Sequence, residues 1–165
     1  MFRVGLGFDF HPFAKGRPLV LGGVHIPHPR GLQGHSDADA LLHALGDALL
    51  GAAGLNDIGS HFPDTDPEYE NISSLVLLER IRQLVRGQGF EVVNVDMVVV
   101  AESPRIGPHV ELIRQNLSQV LGLSRGAIGV KATTMEACGP IGKGEGIAVQ
   151  AVALLQDVNE PIRPN

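Results

Sequence analysis

Apolar and polar positions alternate over residues 2–10, with Val4, Leu6 and Phe8 on one face, and this two-residue period predicts a β-strand. "PLVLGGVHIP" predicts a hairpin turning at Gly22-Gly23. The period becomes helical in "SDADALLHALGDALLGAAG", where Ala38, Leu41, Leu42, Leu45, Ala48, Leu49 and Ala52 form one stripe. Ser36 is the expected N-cap, with Asp39 three residues on, and Gly54 the expected stop. "LNDIGSHFPDTDPEY" contains glycine and two prolines, shows no period and reads as a loop. A second helix is expected over residues 73–86, capped by a serine and ended at Gly87. A third is expected over 108–121, with Pro108 in its first turn and Val110, Ile113, Leu117, Val120 and Leu121 on one side. "VVNVDMVVVAE", "IGVKATT" and "GIAVQAVALL" read as strands.

The strand cores "MVVV" and "AVALL" are apolar on both alternating sets, so each face of the sheet needs cover. Three helices cover one face; the other asks for a partner subunit. The expected fold class is α+β: a single domain over residues 1–165, with one mixed β-sheet and helices packed on one face.

At 165 residues and 44% apolar composition the chain is long enough to bury one core and too apolar for a disordered segment. The formal net charge is −5, and Lys and Arg are scattered, which argues against nucleic-acid binding. No apolar run reaches the length of a membrane span. The first residues lack the pattern of a signal peptide, and the one cysteine, Cys138, has no partner for a disulfide within the chain. A cytoplasmic location is expected.

Candidate chemistry begins at "GFDFH". Asp9 and His11 are two apart on a strand and point to one side, so they can share one ion or can simply be a polar strand end. Asp39, His43 and Asp47 follow at four-residue spacing beside the apolar stripe of the first helix. One reading is a solvated stripe. In the other, His43 completes a site with Asp9 and His11. Two histidines and one aspartate leave a position open on zinc, as catalytic sites do. Asp39 and Asp47 are then candidates to orient the imidazoles. His35 and Ser36 precede that helix, where free N–H groups suit a phosphate. "GLGFDF" and "GPIGKGEG" complete neither a dinucleotide loop nor a Walker motif.

Taken together, "GFDFHPF", "LGGVHIP", "GHSDADALLHALGDALLGAAGLNDIGSHFPDTDPEY", "NVDMVVVAESPRIGPH" and "VKATTMEACGPIGKGEGIAVQAVALL" resemble the 2-C-methyl-D-erythritol 2,4-cyclodiphosphate synthase family, in its order and over most of the chain. The resemblance implies one zinc ion per subunit on Asp9, His11 and His43. It implies a magnesium or manganese ion on Glu136 beside the substrate diphosphate. His35 and Thr134 match positions credited with stabilising the transition state. Asp57, Ile58, Gly59, Phe62, Pro63, Asp64, Thr65 and Asp66 match the segments that hold the methylerythritol phosphate end. Asp9, Phe10, His11, His35 and Ser36 border the substrate as well. Ala101, Glu102, Ser103, Pro104, Arg105, Ile106 and Gly107 match a cytosine pocket, and Thr133, Thr134, Met135 and Glu136 the diphosphate region. The implied reaction is cyclisation of a cytidine diphosphate substrate with loss of CMP, and the implied assembly is a homotrimer with sites between subunits. The chain departs from the family at Met135, Pro140 and Lys143. Lys143 keeps the charge of the usual arginine without its planar fork, and Pro140 replaces an aromatic wall. Two rival readings use the same scaffold: a metal-dependent phosphohydrolase, and a non-catalytic trimer that binds small ligands without zinc.

Overall fold

The strands predicted from alternation and from doubly apolar runs pair into one sheet. A computed structural model of the chain describes residues 1–159; the last six residues of the expected 1–165 domain lie outside the described residues. In chain order the elements are β1 (Phe2–Ala14), β2 (Leu19–Leu21), β3 (Val24–Ile26), β4 (Gly31–Leu32), α1 (Ala40–Ala53), α2 (Ile58–His61), α3 (Ser74–Gly87), β5 (Phe90–Val100), α4 (Val110–Leu121), β6 (Ile128–Thr133), α5 (Gly139–Gly142) and β7 (Gly146–Asp157). The sheet order is β4-β1-β7-β5-β6, and β2 and β3 form a separate hairpin. β5 and β6 run parallel and the other pairs antiparallel, so the sheet is mixed, as expected.

The long helices lie on one face. α1 packs on β1 and β7, and α3 and α4 complete the layer against β5 and β6. Leu41, Leu45 and Leu49 of α1 meet Met97, Val99, Val149 and Ala151 in a fully buried core. The closest approach uses glycine. A Cβ on Gly5 or Gly7 would stand 1.9 Å from the carbonyl oxygen of Ala48 or Ala44, so only hydrogen fits between β1 and α1. The glycines take the helix-facing positions of β1, and the alternate set faces outward: Val4, Leu6 and Phe8 are 69%, 62% and 65% exposed. The face of β1 opposite the helices is therefore apolar and uncovered among the described residues.

Three local features differ from the sequence reading. The N-cap of α1 is Asp39, not Ser36. The Asp39 carboxylate accepts the Leu42 N–H and also those of Gly22 and Gly23, at 3.1, 3.0 and 2.7 Å, which ties the hairpin turn to the helix start. Residues 55–69 are not all loop. Asp57 caps the single turn of α2, and Asp66 caps a 3₁₀ turn at Pro67–Tyr69, both too short to show a period. β5 starts at Phe90 and carries a bulge between Val92 and Asn94. It ends at Val100, which leaves Ala101 and Glu102 in the following turn. The stop of α1 at Gly54 (φ 75°) is the expected left-handed cap.

Candidate metal and substrate site

The contact of β1 with α1 brings Asp9, His11 and His43 together. Asp9 Oδ2 lies 2.8 Å from His11 Nε2 and 3.3 Å from His43 Nδ1, and the two nitrogens are 3.2 Å apart. Ligands on a tetrahedral zinc ion at about 2.0–2.1 Å stand about 3.3 Å from one another. Among the described residues this is the one group of three or more potential metal-ligating side chains that converges in this way.

The hydrogen bonds around the three side chains suit a cation. His11 Nδ1 donates to the Gln33 carbonyl, and His43 Nε2 faces the hydroxyls of Ser36 and Ser74 at 3.1 Å each. Each ring thus has a partner behind it and turns its other nitrogen to the buried Asp9 Oδ2. Asp9 Oδ1 accepts the Phe10 N–H at 2.9 Å, which aims the second oxygen. Three lone pairs facing one point repel unless a proton or a metal ion lies between them. Without metal a proton serves. Burial opposes charge on His11, but the Asp9 carboxylate outweighs it and raises the His11 pKa. Burial likewise pushes Asp9 up, and the His11 imidazole beside it holds its carboxyl below the usual carboxylate range.

His11 and His43 border a cleft of about 440 Å³ lined also by Gly34, His35, Ser36, Ile58, Gly59, Phe62, Pro63, Asp64, Tyr69 and Leu77. The cleft gathers two separate stretches singled out in the sequence. His35 Nε2 is buried without a partner, so it has bonding capacity free for a ligand. Asp57, Thr65 and Asp66 do not line the cleft; Asp57 and Asp66 cap the turns that do. Phe10 points to the opposite sheet face, by alternation with Asp9 and His11.

A second cleft of about 720 Å³ lies at the far side of the sheet. Ala101, Glu102, Pro104, Arg105, Ile106, Gly107, Thr133 and Thr134 line it, with Val110, Val130 and Ala132. Glu102 Oε1 accepts the N–H groups of Met135 and Ala137, at 2.8 and 3.3 Å, and so shapes the turn that carries Glu136. Thr134 Oγ1 donates to Glu136 Oε1 at 2.9 Å. Met135, Pro140 and Lys143 are exposed and line neither cleft. One ladder row joins the two regions: Phe10 pairs Ala148, Ala148 pairs Val100, and Val100 pairs Thr133. Three strand spacings of about 4.8 Å put the ends of that row about 14 Å apart.

Three supporting residues had other expectations or none. Asp47 was a candidate imidazole-orienting group or a solvated acid. Its Oδ1 instead accepts the Ile58 N–H at 2.7 Å and pins α2 beside the metal ligands. Burial raises its pKa, with that N–H pulling the other way. Asp39 likewise bonds backbone N–H groups rather than an imidazole. The Arg17 guanidinium donates to the carbonyls of Gly34 and Ser36 and holds the loop that presents His35. Arginine in a turn gives no sequence signal for such a role.

The fold and the site define a class: α+β proteins in which three potential metal ligands converge at the junction of a strand and a helix. More particularly, the chain belongs to the YgbB family, whose model matches residues 2–156. A relative from Bacillus cereus (strain ATCC 10987 / NRS 248), named 2-C-methyl-D-erythritol 2,4-cyclodiphosphate synthase, is 54% identical over 156 residues, 94% of this chain and 99% of the relative. The bifunctional IspDF from Campylobacter jejuni superposes with a TM-score of 0.91 at 44% identity, over 97% of this chain and 44% of that longer one. A structure of 2C-methyl-D-erythritol-2,4-cyclodiphosphate synthase in its CDP-bound form gives a TM-score of 0.86 at 40% identity, over 93% of this chain and all of that one. Among the described residues, no helix is long and apolar enough to cross a membrane.

Proposed function

We propose that the chain is a metal-dependent phosphorus–oxygen lyase. It converts 4-diphosphocytidyl-2-C-methyl-D-erythritol 2-phosphate to 2-C-methyl-D-erythritol 2,4-cyclodiphosphate and CMP, in non-mevalonate isoprenoid precursor synthesis. The observation that carries this reading is the convergence of Asp9, His11 and His43 at the edge of a cleft that also holds the unpartnered His35. The family match and the relatives' shared name give the reaction.

An oxygen of the 2-phosphate attacks the β-phosphorus, the bond to the CMP oxygen breaks, and CMP leaves with the electron pair. Both reacting groups sit on one substrate, so the protein has chiefly to fold it into line. Bound zinc would act as a Lewis acid on phosphate oxygens, and a magnesium or manganese ion on Glu136 would neutralise diphosphate charge. His35 and Ser36 offer hydrogen bonds to the phosphate end, and Ile58, Gly59 and Phe62 to Asp64 wall the methylerythritol portion. The turn from Ala101 to Gly107 receives cytosine, consistent with the CDP-bound relative. Thr133 and Thr134 take the diphosphate. No nucleophilic serine or cysteine is needed.

The working unit is a homotrimer, in the cytoplasm, with each site shared by two subunits. The uncovered apolar face of β1, and the separation of the two clefts within one chain, support this assembly. Each subunit is one domain over residues 1–165.

Metal removal tests the proposal. Protein stripped by a chelator should stop releasing CMP, and zinc with magnesium should restore release. His43→Ala should neither retain zinc by elemental analysis nor be restored. Full CMP release from stripped protein would refute a metal-dependent cyclase.

A further inference from the structure

His43 is held from behind by a two-residue chain that the family resemblance did not mark. Its Nε2 lies 3.1 Å from Ser74 Oγ and 3.1 Å from Ser36 Oγ. Ser74 is the first residue of α3 and is 1% exposed. Its hydroxyl donates to Asp37 Oδ1, and its backbone N–H donates to Asp37 Oδ2 at 2.9 Å. An ionised carboxylate accepts only, so the hydroxyl proton of Ser74 is committed to Asp37, and only a lone pair is left for His43. Nε2 must then carry the ring proton, and Nδ1 presents its lone pair toward Asp9 Oδ2 and His11 Nε2. Ser36 cannot impose this alone. Its oxygen accepts the Ala38 N–H at 3.1 Å, but its own proton is free to turn to either tautomer of His43 or into the cleft. The other histidine uses a simpler device with the same result, because the Gln33 carbonyl facing His11 Nδ1 is also an acceptor only.

We propose that Asp37 and Ser74 form a positioning pair that fixes the tautomer and ring orientation of His43 for metal binding, and so couples the start of α3 to the cation site. This rests on the metal reading given under Proposed function. Neither residue lines the cleft that His11 and His43 border. The pair's effect is to save His43 from having to find the ligating tautomer each time a metal binds, the part played by partners behind ligand imidazoles generally.

Ser74→Ala is the clean probe. It removes the hydroxyl and keeps the backbone N–H that bonds Asp37, so the start of α3 is retained. Nitrogen NMR of metal-free protein near pH 8 should find His43 of the unmutated chain protonated at Nε2, and a mixture of tautomers in Ser74→Ala. Zinc affinity, measured by competition with a chelating dye, should fall about 10- to 100-fold in Ser74→Ala. Asp37→Ala, which frees the Ser74 proton, should shift both readouts the same way. Ser74→Thr, which keeps the hydroxyl, should bring both back toward the unmutated values. An unchanged tautomer in Ser74→Ala, with zinc affinity within about twofold, would overturn the pair's role. If the unmutated chain bound no zinc, the metal reading itself would fall, while the tautomer spectra would still decide whether Asp37 and Ser74 set the His43 ring.

Discussion

A methyl group on Gly7 would stand 1.9 Å from the carbonyl oxygen of Ala44, so strand and helix touch there backbone to backbone. Asp9 follows two residues along that strand, and His43 immediately precedes Ala44. The closeness of β1 and α1 therefore sets the spacing of Asp9 and His11 from His43. Gly7→Ala must push the two elements apart. Overpacking a core costs about 1–3 kcal/mol, and a backbone carbonyl cannot rotate away as a side chain can, so a loss at or above the top of that range is expected. Zinc content should fall with it. Denaturant unfolding and elemental analysis check both; an unchanged midpoint with full zinc would contradict the contact.

Much of this arrangement was legible in the sequence, because it depends on period. A two-residue spacing put Asp9 and His11 on one side of a strand, and a helical spacing put His43 beside an apolar stripe. A need for cover on both sheet faces was legible in the doubly apolar runs of β5 and β7, though not that Val4, Leu6 and Phe8 of β1 face away from the helices. The partners of Asp39 and Asp47 could not be read. Beyond the local cap on Leu42, Asp39 bonds the N–H groups of Gly22 and Gly23, and Asp47 that of Ile58, in segments brought near by the tertiary fold. The Asp37–Ser74 pair spans 37 positions and leaves no local pattern. The single turn of α2 is too short to declare a period.

Asp47 offers a test of the cleft wall. Its bond to the Ile58 N–H fixes the segment that leads to Phe62, Pro63 and Asp64. Asp47→Ala should raise KM several-fold, because a loosened wall must be ordered on binding at about 1 kcal/mol per residue. Asp47→Asn retains an acceptor oxygen and should stay near the unmutated KM. Steady-state kinetics on both variants distinguish an effect of this bond from an effect of charge. Equal losses in Ala and Asn would assign the effect to charge.

The metal-free protein should show a defined pH response at His11. Its pKa is raised in the fold, so its pairing with Asp9 contributes stability fully below the unfolded value of about 6.5 and loses it as pH rises through the folded value. Asp9 is shifted down, so its contribution is present above about 3.8 and fades as pH falls. The stability gap between the unmutated chain and His11→Ala, both chelator-treated, should be widest between those limits and shrink from pH 6.5 upward. With zinc the trend should reverse, because the ion must displace the His11 proton. Urea unfolding at several pH values measures the gap. A metal-free gap that widens above pH 6.5 would contradict the ion pair.

The proposed sharing of sites between subunits predicts complementation. His43→Ala should damage the cleft beside Asp9 and His11, and Thr134→Ala the second cleft. Refolded together in equal amounts, the two should yield intact sites at about one boundary in four, by counting over a cyclic interface. Activity should recover to roughly a quarter of the unmutated level, from parents that each have little. A mixture shown to be hetero-trimeric yet no more active than its parents would place both clefts' work within one chain.

Phosphorus NMR of the reaction tests the assigned chemistry most directly. With zinc and magnesium present, the phosphomonoester and diphosphate signals of the diphosphocytidyl substrate should give way to two mutually coupled signals of a cyclic diphosphate. CMP should appear in equal amount. Inorganic phosphate growing in their place, without CMP, would make the protein a phosphohydrolase and contradict the cyclase.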